Sequence, residues 1–523
     1  MPFFNLSKAA LLSGAICTLL LSCQKNLEPS RQSDVSLTKK GDVAGKSTLF
    51  YALTASNELV TYVSVNPLIE KAVLSISGLS AGEKMLAIDF RPATGQLYGV
   101  SSNSILYRIN LNSGMASPAG PAFSPAISGS SVGFDFNPTV DRIRLVTNTG
   151  QNLRLHPETG LVVIVDGNIN PAGAMVNAVA YTNSFAGAAT TTLYDIDIQS
   201  DKLFVQSPPN DGTLKPVGTL GIQAVGEAGF DISADNSMAI AAVFGRGLEE
   251  GQNEMSNGNK YRFYTIDLAT GAATNAGKTD RVITGIAIPT MPVAYAVDNM
   301  NRLLIMNPSS GSIVEKNIMG LDMGDKIVGI DMRPATAQLY AMGMMSRIYT
   351  INLSNGMATA VGTMAFTPML TGNSFAFDFN PTVDRIRVIS NMGQNLRLDP
   401  LTGAVAAADP NLNPGMPMVS AAAYTNSFVG SATTTLYDID VASDMLYVQD
   451  PANAGTLKNA KPLGIDVDAD NGFDIGGTSN NAWGIFKAGA QTGLYTINLA
   501  SGMATYKMAV PYMINGFAVG LGF

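Results

Sequence analysis

A chain of 523 residues is too long for one ordinary core and long enough for two domains or one large repeat assembly. Hydrophobic residues at 46% and charged residues at only 14% exclude a disordered, solvating chain, and 52 glycines favour many short strands joined by tight turns. A net charge of −8, with no Lys/Arg cluster after residue 48, excludes a nucleic-acid partner, because a phosphate-binding face needs clustered cations.

The first predicted element is a leader. "MPFFNLSKAALLSGAICTLLLSC" carries one basic residue, Lys8, then an apolar run from Ala9 to Leu21 that is short for a membrane span and ends in small residues. Leu20-Leu21-Ser22-Cys23 resembles the lipobox of bacterial lipoproteins, which implies cleavage before Cys23, lipidation of its thiol and a membrane partner through that anchor. The alternative is an ordinary signal peptide with an incidental cysteine. Cys17 and Cys23 are the only cysteines, so cleavage leaves one and no intrachain disulfide. Residues 1–22 therefore read as signal, and 23–47 as the lipidated Cys with a polar, patternless tether.

Beyond the tether the chain repeats itself. "FDFNPTVDRIR" starts at Phe134 and again at Phe377, giving a period of 377 − 134 = 243. The same offset links "YTNSF" at Tyr181 and Tyr424, and "TTTLYDID" at Thr190 and Thr433. The two copies span 48–289 and 292–523. Inside each copy a turn word, Asn/Asp-x-x-x-Gly, recurs at Asn110, Asp267, Asn307, Asn352, Asp399 and Asn498, with His156 in the first place of "HPETG". These words sit between alternating apolar strands, where the glycine supplies the positive φ of a hairpin turn.

Four short strands repeating every 40–50 residues predict an all-β fold, a β-propeller with two tandem five-bladed units. "VITGIAI" (282–288) would close the first unit and "INGFAVGLGF" the second. The alternative is one ten-bladed ring, in which 282–318 forms a single uninterrupted blade. The words "IDFRPATGQLYGV", "FDFNPTVDRIRLVTNTGQNLRL" and "AYTNSF…TTTLYDID" resemble the family catalogued as domain of unknown function 4394, once per copy. That resemblance implies a propeller-like fold in secreted or surface bacterial proteins, and it carries no activity or catalytic residues.

Conventional sites are excluded cheaply. The sole histidine, His156, is replaced by Asp399 in the second copy, so no His-based triad or zinc site is shared, and a surface turn residue is expected there. A register of aspartates is more informative: Asp89, Asp135 and Asp231 in the first copy, and Asp331, Asp378 and Asp474 in the second, sit centrally in apolar strands. Near a propeller axis they suit Ca²⁺ or a carboxylate-dependent hydrolase of glycosidase or lactonase type. Structural bracing of neighbouring turns is the stronger expectation. A second set, Asn137, Asp141, Arg142, Arg144, Asn152 and Arg154, with Asn380, Asp384, Arg385, Arg387, Asn395 and Arg397, reads as a polar groove suited to a protein or carbohydrate ligand. Its alternative is pairing inside the sheet, Asp141 with Arg142 or Arg144. The 25 methionines are expected mainly as core filler.

The leading expectation is thus a lipid-anchored envelope protein acting as a binding or scaffolding module. Mass spectrometry of the mature chain is expected to find an N-terminal, lipidated Cys23; an unmodified chain beginning elsewhere would remove the anchor.

Overall fold

Apolar alternation over five or six residues, punctuated by turn words, builds strands and almost nothing else. The computed structural model describes residues 47–64, 68–222, 224–245 and 260–523. The expected leader with Cys23 and the tether to residue 46, and residues 65–67, 223 and 246–259, lie outside the described residues.

The strands form ten four-stranded antiparallel sheets. A representative sheet runs Met85–Phe90, Leu97–Ser101, Leu106–Ile109, Ala116–Pro118, in that order. The turn words explain the third connection. Asn110 Oδ1 accepts the backbone N–H of Asn112 and Ser113 (2.9 and 3.1 Å), while Gly114 turns at φ +73°. Asp267, Asn307, Asn352, Asp399 and Asn498 make the same pair of bonds. His156 accepts one with Nδ1, from Glu158 N at 3.2 Å, which requires a neutral ring protonated on Nε2.

Burial is graded across each sheet. Leading strands such as Val419–Tyr424 are buried throughout, whereas last strands such as Ile69–Ser75 are mostly exposed. Apolar clusters therefore lie between neighbouring sheets, as where Leu53, Leu59, Ile88, Phe90, Leu97 and Ile109 meet.

Two sheets are completed out of sequence. Ile283–Ala287 pairs with Leu49–Thr54, and Ile514–Val519 pairs with Ala294–Asp298. Ile283–Ala287 and Ala294–Asp298 thus belong to different sheets despite their adjacency in the chain, and 282–318 is not one uninterrupted sheet. The leading strands of the first copy pack in the order Met85–Phe90, Val132–Asn137, Val176–Tyr181, Ala224–Ile232, Ile283–Ala287, and the last lies against the first. In the second copy the order is Ile327–Arg333, Phe375–Asn380, Val419–Tyr424, Asn471–Ile475, Ile514–Val519, again returning to its start.

The copies touch through a buried polar seam. Arg91, fully buried, pairs with Asp141 and Glu158 and donates to Ala337 O of the other copy at 3.0 Å. Arg108 donates to Ala335 O (2.7 Å), and Tyr295 Oη donates to Ala93 O (2.7 Å). Burial alone would lower the Arg91 pKa, but the adjoining Asp141 carboxylate holds it well above its ordinary value. The expected pairing of Asp141 with Arg142 or Arg144 is therefore corrected. Its carboxylate hydrogen-bonds Arg91, and Arg142 donates to the Asp141 backbone carbonyl at 2.8 Å.

The methionines also depart from expectation. Met85, Met306, Met332 and Met342 fill the core, but Met300, Met323, Met344, Met345, Met364, Met369, Met392, Met416 and Met513 are exposed. These nine lie in connections from second to third strands or between successive sheets, which antiparallel alternation puts at one end of the second-copy sheets, whereas the exposed Met357 and Met503 lie in third-to-fourth connections at the other end.

Truncating Arg91 leaves two acids facing each other at the seam. Arg91→Ala is expected to cost about 3 kcal/mol or more, since removing one partner of a buried pair strands the other charge. Urea unfolding monitored by circular dichroism reads that loss.

Candidate functional site

Two kinds of site emerge: an aspartate trio on the leading strands of each copy, and an arginine frame between sheets that lines a cavity in the second copy.

The trios come first because the strands place them. Asp89, Asp135 and Asp231 present carboxylate oxygens all within 4.8 Å of one another, and Asp331, Asp378 and Asp474 do the same. Each sits on a leading strand whose apolar neighbours face the cores on both sides. Most oxygens are engaged by backbone. Asp89 Oδ1 accepts from Phe90 N (2.7 Å) and Oδ2 from Phe136 N on the next leading strand (2.8 Å). Asp135 accepts from Tyr181 N (3.2 Å), and Asp231 from Ile232 N and Ile288 N. In the second copy Asp331 accepts from Met332 N and Phe379 N, Asp378 from Tyr424 N, and Asp474 from Ile475 N and Val519 N. Each carboxyl thus ties its own strand to the next one.

Burial is the main reason these acids hold their protons, and neighbouring acids add to it. Burial and the Asp231 carboxylate push Asp89 well above the carboxylate range; burial pushes Asp231 and Asp474 up to about 7. Asp135, Asp331 and Asp378 rise for the same two reasons. Oxygens this close offer a hard cation a ligand set, and without one they share protons.

The pocket is built from the second and third strands. Asn380, Val383, Arg385, Arg387, Arg397, Tyr424 and Asn453 line a cavity of about 290 Å³ in the second copy. Arg387 is buried and meets four acceptors: Tyr424 Oη (3.3 Å), Asn395 Oδ1 (2.7 Å), Asp409 (2.7 Å) and Asn453 Oδ1 (2.7 Å) surround its guanidinium. Arg397 clamps Asp409 with two bonds of 2.8 Å. Arg385 lies nearer solvent, 3.4 Å from Asp399. The first copy repeats the framework bond for bond. Arg144 meets Tyr181, Asn152, Asp166 and Asn210, and Arg154 clamps Asp166.

The expected groove therefore divides. Arg142, Arg144 and Arg154 stay with Asn137, as Arg385, Arg387 and Arg397 stay with Asn380. Asn152 and Asn395 are buried struts that donate to backbone carbonyls. Asp141 and Asp384 turn away to Arg91 and Arg333. Sequence reasoning missed Tyr424, Asn453 and Val383, and their counterparts Tyr181, Asn210 and Val140. The repeat of "YTNSF" pointed to the tyrosines, but nothing local marked the asparagines, which come from the neighbouring sheet.

It also passed over Asp195 and Asp438 in "LYDID". Both are fully buried with neither oxygen hydrogen-bonded, and burial lifts Asp438 to about 8. A neutral carboxyl is far cheaper to bury than a charged one. His156 is half-buried rather than on the surface; burial, then Arg142 and Arg91, lower it to about 4.

The model of the family described as domain of unknown function (DUF4394) matches residues 58–287 and 302–518. A search of curated proteins found no match. Among solved structures, the extracellular domain of a hybrid two-component system from B. thetaiotaomicron is similar over 90% of this chain and 73% of its own, at 10% identity and a TM-score of 0.24. A likeness that faint carries no inference about what the chain does.

These shifts set the pH profile. The trio acids have folded pKa values raised above the unfolded value near 4, so their stabilising contribution is complete below pH 4 and falls as pH rises through about 7. His156 works the other way: its folded pKa of about 4 lies below the ordinary 6.5, so stability drops as pH falls from 6.5 to 4. Asp135→Asn keeps an oxygen for Tyr181 N and removes one titrating carboxyl. It is expected to flatten the decline above pH 4, and His156→Asn the acid-side one, in urea midpoints measured from pH 4 to 9.

Proposed function

We propose that this chain, which belongs to the DUF4394 family and carries two copies of its domain, is a lipid-anchored envelope module that binds polar ligands in duplicated arginine-lined pockets. The sheets are read as two five-bladed propellers. Support comes from the order of the leading strands, each fifth one returning to the first, and from the two sheets completed by Ile283–Ala287 and Ile514–Val519. Such completion pairs an edge of Leu49–Thr54 and of Ala294–Asp298 that would otherwise be open, which guards against edge-to-edge aggregation. Anchoring rests on the Leu20–Cys23 word. No helix among the described residues is long and apolar enough to cross a membrane.

The observation that carries the binding reading is the cavity of about 290 Å³ with three arginines, an amide pair and the Tyr424 hydroxyl around it. Two of the arginines are held rigid by Asp409, so a ligand meets donors already fixed in place, which lowers the entropic cost of capture. Forked guanidinium groups and amides match sugar hydroxyls and carboxylates.

The trios favour a second reading, a cation bound by converging carboxylates. Their burial and their engagement by backbone amides support bracing over hydrolysis, since a substrate needs access to the reacting oxygens. Thermal unfolding of the chain from residue 24 separates these. A midpoint that rises with millimolar Ca²⁺ and falls back with EDTA marks cation binding, as linkage requires. An unmoved midpoint leaves the trios as braces. For the pocket, Arg397→Ala is expected to free Asp409 and weaken sugar binding at least tenfold in calorimetric titration. Retained affinity there would move the ligand site elsewhere.

A further inference from the structure

The two pockets share a frame but differ at one wall. In the second copy Arg385 faces the Asp399 carboxylate at 3.4 Å. In the first copy the equivalent of Asp399 is His156, and no carboxylate pairs with Arg142 among the described residues. The guanidinium of Arg142 keeps one protein contact, the Asp141 carbonyl. The missing acid has moved two places along the turn. Glu158 stands where the second copy has the exposed Leu401, and it points to the seam, reaching Arg91 at 3.1 Å. Compared with the second copy, the first thus lacks the acid beside this arginine and carries one at the contact between copies.

The replacement is also chemically directed. His156 accepts a backbone N–H at Nδ1, so its remaining ring proton is on Nε2, and the neutral ring brings no anion to the wall. The other acid at the pocket, Asp166, is consumed by Arg144 and Arg154 together, with bonds of 2.6 to 2.8 Å. Arg142 therefore has no carboxylate paired with it among the described residues; the adjacent Asp141 carboxylate is hydrogen-bonded by Arg91 instead. By its place in the repeat Arg142 matches Arg385, which lines the second-copy cavity with Asn380, Tyr424 and Asn453, and in the first copy Val140 is exposed and Arg154 partly so.

We propose that the first-copy pocket is selective for a carboxylate-bearing saccharide, its carboxylate taking at Arg142 the place that Asp399 occupies at Arg385. This deepens the binding reading above and rests on it. A carboxylate sugar fits both features of the wall, the Arg142 fork that lacks a carboxylate partner and the amides of Asn137 and Asn210. The second-copy pocket, with Arg385 already paired, has no comparable demand for an anion.

The test is calorimetric titration of the chain from residue 24 with trigalacturonate and with its carboxyl-reduced, neutral analogue. Trigalacturonate is expected to bind at least tenfold more tightly, and the preference to shrink as salt screens it. His156→Asp restores the acid that the second copy carries, so it keeps a side chain already compatible with this turn. It should erase the preference while the neutral analogue is still bound. Arg142→Gln should lower trigalacturonate affinity by at least tenfold, and Arg385→Gln by much less; thermal unfolding confirms that each variant is folded. Equal affinity for the two sugars, or equal losses from Arg142→Gln and Arg385→Gln, overturns the charge assignment and leaves the pockets as binding sites. Failure of either sugar to bind overturns the saccharide reading itself.

Discussion

The arrangement depends on a simple constraint: an acid placed in the middle of a buried strand must find donors, and here backbone supplies them. Each of the six trio acids accepts the N–H of a residue on, or immediately after, the next leading strand, and four of them also accept the N–H of their own successor. A bond of this type joins two strands that share no sheet ladder, so it fixes the spacing and height of one sheet against its neighbour. Buried polar groups satisfied in this way specify a geometry more sharply than apolar contact does. Convergence has a cost, because carboxyls this close cannot all ionise, and the raised pKa values are its expression. Alanine at positions 180 and 287, the other two central places of the first copy, keeps that crowding to three acids.

With the sheets fixed in this way, the polar surface between them can be built precisely. Arg144 and Arg387 reach from one sheet to an asparagine on the next, Asn210 or Asn453, each in a single-turn 3-10 helix. The pocket is thus a property of two adjacent sheets, not of a loop. The same side-chain bonds recur in both copies, and the difference beside Arg142 and Arg385 lies in the turn holding His156 and Glu158, or Asp399 and Leu401.

Duplication also created a contact that neither copy needs alone. Arg91, Arg108 and Tyr295 all spend donors on carbonyls of the opposite copy. At Gly95 the approach is so close that a Cβ would lie 2.3 Å from the Phe523 ring, and φ of +71° already favours glycine there. The exposed methionines of the second copy are a further divergence. The first copy places Ser102, Asn103 and Thr149 in the connections where the second has Met344, Met345 and Met392.

The sequence alone determined what is local or repeated. The period of 243, the turn words with their side-chain-capped amides, the all-β class and the register of six aspartates were legible because each depends on residues a few places apart or on direct self-comparison. Only the tertiary structure decided which strand completes which sheet. The segments 283–287 and 294–298 are alike in composition and seven residues apart, yet one returns more than two hundred residues to pair with Leu49–Thr54. It likewise decided that Asp141 serves Arg91 instead of its neighbours, and that Tyr424 and Asn453 join the arginine pocket. The physical reason is common to all three. A strand pattern states which face is apolar, but the partner of an edge or of a charge is set by the closure of long loops and by what lies across the gap between sheets.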